Sequence, residues 1–150
     1  MKKSILFFLL LFVITSINAQ TLLEENFEGS TLPDGWTQQT LATDGGWIMG
    51  TAASLESQFW AITDNGSRII ATNDDGCNCN KSEDYLILPV LDFSDSQAPV
   101  LEFNLFYGQQ TYNGVSERAF VEVSTDGGDS WTRVEQLTSC LLYTSDAADE

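Results

Sequence analysis

Asp-Gly recurs at positions 34, 44, 75 and 126, each time between short apolar runs, and this punctuation constrains the fold more than anything else in the chain. Gly accepts φ > 0 and Asp hydrogen-bonds its own backbone two residues on, so each pair reads as a turn. After residue 20 no segment carries a 3.6-residue apolar period. The runs between turns are strand-length and alternate instead. Val100–Tyr107 places Leu101, Phe103, Leu105 and Tyr107 opposite Glu102 and Asn104, and Arg118–Ser124 places Ala119, Val121 and Val123 opposite Glu122 and Ser124. Short strands joined by Asp-Gly turns predict an all-β sandwich or barrel. The spacing of the pairs is irregular, so no internal repeat follows.

The chain in order gives a first strand over Thr21–Glu28, a Pro33-Asp34-Gly35 turn, and a short strand at Trp47-Ile48-Met49. Residues 51–58 are small and polar and read as a loop. Phe59-Trp60-Ala61-Ile62, the Asp64-Asn65-Gly66 turn and Arg68–Thr72 read as a hairpin. Tyr85–Leu88 is apolar on both faces and reads as a central strand ended by Pro89. Trp131–Glu135 begins a further strand.

Both ends carry separate signals. Met1-Lys2-Lys3, the apolar run Ile5–Ile14 and the exit Ile17-Asn18-Ala19 form a secretory signal peptide over 1–19, too short to be a permanent span. The expected location is secreted or cell-surface. At the other end, Cys140-Leu141-Leu142-Tyr143-Thr144-Ser145-Asp146-Ala147-Ala148-Asp149-Glu150 resembles a translated transposase sequencing adaptor. Residues 140–150 are therefore expected to be an artefactual tail, loose or in a short helix. That leaves 20–139 as one domain, truncated before its last strand or strands.

Charge excludes some partners. With 22 acidic residues against 6 basic and no His, the net charge is −16. Such a surface repels nucleic acid and anionic lipid and favours cations. No membrane insertion is expected beyond the leader. Without His, Ser-His and Cys-His nucleophile pairs are absent from these residues, so no catalytic residue is assigned. Carboxylate pairs suited to glycoside hydrolysis arise by chance among so many acids and decide nothing.

The densest chemistry lies in Asn73–Asp84, where four carboxylates, three Asn and two Cys occupy twelve residues between apolar runs. Held between strands, such a loop repels itself unless neutralised, and Ca²⁺ with oxygen ligands answers that need. The other reading is a solvated loop with Asx turns. Glu28, Asp74, Asp75, Asp84 and Asp92, all near strand ends, are the candidate metal ligands. No EF-hand register fits, and Cys77-x-Cys79 lacks zinc-site spacing. Cys77 and Cys79 can pair in an oxidising compartment, as free or intermolecular thiols can also persist.

Two other features bear on function. Ser124-Thr125-Asp126-Gly127-Gly128-Asp129-Ser130-Trp131 fits the Asp-box, with Ser124, Asp126, Gly128 and Trp131 at its fixed positions. A single copy reads as a structural hairpin. The aromatics Trp36, Trp47, Trp60, Tyr107 and Tyr112 could stack on sugar rings or fill the core. Tyr112, beside Asn113-Gly114, is the surface candidate.

Asn26-Phe27-Glu28-Gly29 followed by Leu32-Pro33-Asp34-Gly35-Trp36 resembles the opening of the cleaved-adhesin and choice-of-anchor J domains of secreted Bacteroidetes proteins, jelly-roll relatives of MAM domains. Asn73-Asp74-Asp75, Cys77-Asn78-Cys79-Asn80-Lys81-Ser82, Asp84-Tyr85-Leu86-Ile87, Pro89, Leu91-Asp92 and Val121–Gly128 with Trp131 continue the likeness to about Val134. Leu88 stands where one branch often has Thr. The resemblance implies a non-catalytic jelly-roll β-sandwich, often with structural calcium, attached to proteases, adhesins or surface proteins. The expected function is a calcium-stabilised module that binds glycan or extracellular protein. The alternatives are an accessory domain of a secreted protease or Asp-box glycosidase, and a structural spacer.

Overall fold

The computed structural model describes residues 20–64 and 66–138 in full and the backbone of Cys140–Thr144. Residues 1–19, where a signal peptide is expected, and residues 145–150 of the expected tail lie outside the described residues. The chain is mostly β. Its strands are β1 (Thr37–Gln39), β2 (Ile48–Thr51), β3 (Arg68–Ala71), β4 (Tyr85–Ile87), β5 (Asn104–Tyr107), β6 (Thr111–Tyr112), β7 (Val115–Ser116), β8 (Ala119–Val123), β9 (Thr132–Leu137) and β10 (Cys140–Thr144). Two single-turn helices interrupt them, α1 (Ala52–Leu55) and α2 (Asp74–Cys77).

Among the described residues, pairing gives five two-stranded antiparallel sheets: β1–β4, β2–β3, β5–β10, β6–β7 and β8–β9. The β2–β3 pair is nested inside the β1–β4 pair, with Ile48 opposite Ala71 and Thr37 opposite Ile87. The acidic loop thus leaves one nested sheet at β3 and re-enters the other at β4. β8 and β9 form a hairpin whose register slips between Val121 and Glu122, so that Val121 faces Glu135 and Glu122 faces Arg133. Arg133 Nε donates to Glu122 Oε1 at 2.9 Å, and its guanidinium carbon lies 4.0 Å from the Phe120 ring centroid. Ala52, Ala71 and Leu137 are the buried apolar residues among those described. No described helix is long and apolar enough to cross a membrane.

Several expectations are corrected. Thr21–Glu28 forms no strand. There Phe27 takes φ 57° and its N–H donates to Glu25 Oε1 at 2.6 Å, so local side-chain bonding replaces a ladder. Residues 52–55, read as loop, make the single turn of α1, closed by Glu56 N–H donating to the Ala52 carbonyl at 3.0 Å. Phe59–Ile62 is not a strand, and β3 pairs with the distant β2 instead. Among the described residues β4 pairs with β1 alone, not as a central strand. The expectation that the tail is loose or a short helix is corrected over Cys140–Thr144, which pair with β5 through Cys140 opposite Tyr107 and Thr144 opposite Asn104. Leu141-Leu142-Tyr143-Thr144 has strand propensity that Ser145–Glu150 lacks, and β5 offers an edge to receive it.

Candidate functional site

The acidic loop is closed by its own lysine. Asp84, immediately before β4, has a side chain only 2% exposed. Thr40 Oγ1, just after β1, donates to its Oδ1, and Thr72 Oγ1, just after β3, donates to its Oδ2 at 2.5 Å. Lys81 Nζ stands 3.4 Å from Asp84 Oδ2, with its side chain 10% exposed. The same ammonium donates to both oxygens of Asp44 at 2.6 and 2.7 Å and to the Gly46 carbonyl at 3.2 Å. Trp47 Nε1 donates to the Asp84 carbonyl at 3.2 Å. Gly46 is required here: at φ +77° a Cβ would stand 2.8 Å from both Gln38 Oε1 and Thr40 Cβ. Burial pushes the Asp44 carboxyl up, but the Lys81 hydrogen bonds and charge and the Gly46 N–H outweigh it and hold it below the ordinary carboxylate range.

Within the loop, α2 is one capped turn. The Asn73 carboxamide oxygen accepts from Gly76 N–H at 3.1 Å, while its amide nitrogen donates to the Leu55 carbonyl at 3.0 Å and ties α2 to α1. Asn78 ends the turn in the left-handed region at φ 50°, its N–H donating to the Asp74 carbonyl at 2.7 Å. Cys77 and Cys79 are joined in a disulfide with Cα atoms 5.2 Å apart. Their sulfurs and an Asp44 oxygen lie within 4.8 Å of one another.

The five acids read as calcium ligands do not come together as one set within 4.8 Å among the described residues. Asp84 is committed to Lys81, Thr40 and Thr72. Glu28 accepts the Arg68 N–H at 3.1 Å. Asp92 closes an Asx turn on Ser94 N–H at 2.9 Å, and that bond, with the Ser94 hydroxyl, holds its carboxyl below the usual range. Asp74 and Asp75 are exposed at the start of α2. Their partner in charge is Glu117, absent from the sequence-based set. Burial pushes the Glu117 carboxyl up, and the repulsion of Asp74 and Asp75 adds to that against the opposing bond from Gln110 N–H. Asp74 and Asp75, two of the five, thus act on Glu117, which is not among them.

The Asp-box folds as a local hairpin between β8 and β9. Asp126 accepts Ser124 Oγ at 2.7 Å, Ser130 N–H at 3.0 Å and Ser130 Oγ at 2.5 Å. Those bonds hold its carboxyl far below the ordinary range, the Ser130 hydroxyl contributing most. Gly128 N–H donates to Ser124 Oγ at 2.8 Å, and Trp131 Nε1 donates to the Gly128 carbonyl at 3.1 Å.

Tyr112 is 80% exposed, beside the turn of the β6–β7 hairpin. Asn113 at φ 50° and Gly114 at φ 79° make the two-residue turn, a signal present in the sequence but not read there as a hairpin. Val115, paired with Tyr112, is 72% exposed. Gln110 Nε2 donates to the Phe59 carbonyl at 3.4 Å, which brings the 66% exposed Phe59 to the same end of the molecule. Beneath, Trp60 packs on Phe106 with ring centroids 5.7 Å apart, so Trp60 is a packing residue and Tyr112 a surface one. No protein-family model, curated protein or solved structure matches the chain.

Proposed function

We propose that the chain is an exported, non-catalytic β module of the jelly-roll type that binds glycan or extracellular protein. The observation that carries this reading is Tyr112, held 80% exposed beside a two-residue turn, with the exposed Val115 paired opposite it. Tyr supplies apolar contact area together with a hydroxyl, a combination enriched at binding surfaces. Gln109, Gln110 and Asn113 flank it with amide donors and acceptors suited to hydroxyl-rich or peptide ligands. Calcium belongs to the reading as a structural ion of the acidic loop. Its support is the acidity of Asn73–Asp84, with four carboxylates in twelve residues and Asp74 and Asp75 exposed at the start of α2, open to a hard cation.

The test is a binding screen of the full chain against immobilised polysaccharides and extracellular matrix proteins, followed by Tyr112→Ala on each hit. Removing an aromatic anchor costs at least about 1 kcal/mol, roughly fivefold in affinity. Unchanged affinity in Tyr112→Ala, with the circular dichroism spectrum intact, would overturn the reading.

A further inference from the structure

We propose that Cys77, Cys79 and Asp44 form a redox-gated site for a thiophilic divalent cation, closed while the two cysteines are bridged and open once they are reduced. The two sulfurs and an Asp44 oxygen lie within 4.8 Å of one another, and this is the one group of three metal-ligating side chains among the described residues. The Cys77-x-Cys79 spacing alone is not that of a zinc site, but Asp44 adds a third ligand, and an ion of the zinc class, bonded at about 2.3 Å to sulfur and about 2.1 Å to oxygen, spans its ligand atoms at less than about 4.6 Å. Small shifts after cleavage of the bridge therefore suffice. The donor set selects the ion. Two thiolates favour soft and borderline metals, whereas Ca²⁺ takes oxygen ligands.

The loop around the site is anchored independently of the disulfide. Asn73 ties α2 to the Leu55 carbonyl, and Lys81 ties the far side of the loop to Asp44. Reduction thus leaves the three ligands near one another. Lys81 also supplies what a metal-bound carboxylate needs, a hydrogen-bond donor that fixes its orientation, once the ion takes over one of the two oxygens that the ammonium now holds. Charge nearly balances: two thiolates, Asp44 and Asp84 are offset by Lys81 and a divalent ion, leaving one negative charge.

The chemistry closes in two steps. A dithiol reductant passes two electrons and two protons to the Cys77–Cys79 bond and itself closes to a disulfide, leaving two thiols. The cation then forms two sulfur–metal bonds, and both thiol protons leave to water.

The probe is Cd²⁺, titrated into the full chain carrying Cys140→Ser so that Cys77 and Cys79 are its sole cysteines. The sample is reduced with a trialkylphosphine and desalted, and the sulfur-to-cadmium charge-transfer band is followed. One equivalent should bind to the reduced chain and none to the oxidised chain. Asp44→Asn should weaken binding at least about tenfold, the low end of the loss when even an outer partner of a metal ligand is removed. Asp44→Glu, which keeps the carboxylate, should retain most of the affinity. Because Asp44→Asn also disturbs the Lys81 contact, the reduced tripeptide Cys-Asn-Cys serves as a second comparison, and the chain should bind Cd²⁺ at least about tenfold more tightly than this bare dithiol. A reduced chain without the band, an oxidised chain with it, or affinity equal to that of the tripeptide would each overturn the site.

Discussion

The acidic loop and the Asp-box hairpin use the same device, an aspartate surrounded by donors, on two different scales. At Asp126 every bonded partner lies within four residues. At Asp84 the hydroxyl donors come from Thr40 and Thr72, 44 and 12 residues away, and Lys81 carries the network on to Asp44. Asp126 shapes a turn in water. Asp84 is nearly sealed and joins the ends of β1, β3 and the loop that leads into β4. A carboxylate in the first setting is replaceable by another turn former. In the second, its removal strands a lysine and two hydroxyls that were placed by distant parts of the chain.

Asp84→Ala should therefore have the largest effect, a loss of about 3 kcal/mol in chemical denaturation, because it removes a sealed charge from its ammonium and hydroxyl donors. Asp84→Asn should recover part of that through its remaining acceptor. Acid should loosen the same clasp. The Asp44 carboxyl is depressed in the folded chain, so its stabilisation is full above the ordinary Asp value of 3.8 and fades as pH falls through that value and below. Midpoints that stay level between pH 6 and pH 3, to take roughly that window, would show that Lys81 does not hold Asp44 as described.

Calcium sharpens the contrast from the other side. At about 100 times its dissociation constant, an ion bound only by the folded chain adds about 2.7 kcal/mol. Thermal melts in Ca²⁺ and in EDTA should differ accordingly, and Asp75→Asn with Glu117→Gln should abolish the difference while Asp126→Ala leaves it. Equal midpoints in Ca²⁺ and EDTA for the parent chain would remove calcium from the proposed function.

The smallest effect belongs to Asp126→Ala. Its side chain is exposed and its bonds are local, so the global midpoint should move less than for Asp84→Ala, with hydrogen exchange quickened chiefly in β8 and β9. A global loss matching that of Asp84→Ala would erase the distinction between the two regions.

What the sequence alone determined is what short-range geometry determines. Ser124–Trp131 closes on itself because its donors and acceptors meet wherever the backbone turns. β8 lies where apolar residues alternate with polar ones, and β3 and β9 lie in the short strand-like runs read between turn formers. Asn113-Gly114 likewise encodes its turn through two positive φ values. The tertiary structure decided everything that depends on which distant segments meet. Thr37 finds Ile87, Asp84 finds Thr40, and Glu117 comes under the charge of Asp74 and Asp75. Nothing in the local pattern of Asn73–Asp84 distinguishes a carboxylate awaiting an ion from one neutralised by a lysine three residues earlier, because both need the same acids. The choice between them is made by chain closure, which places the two threonines on Asp84 and links it through Lys81 to Asp44.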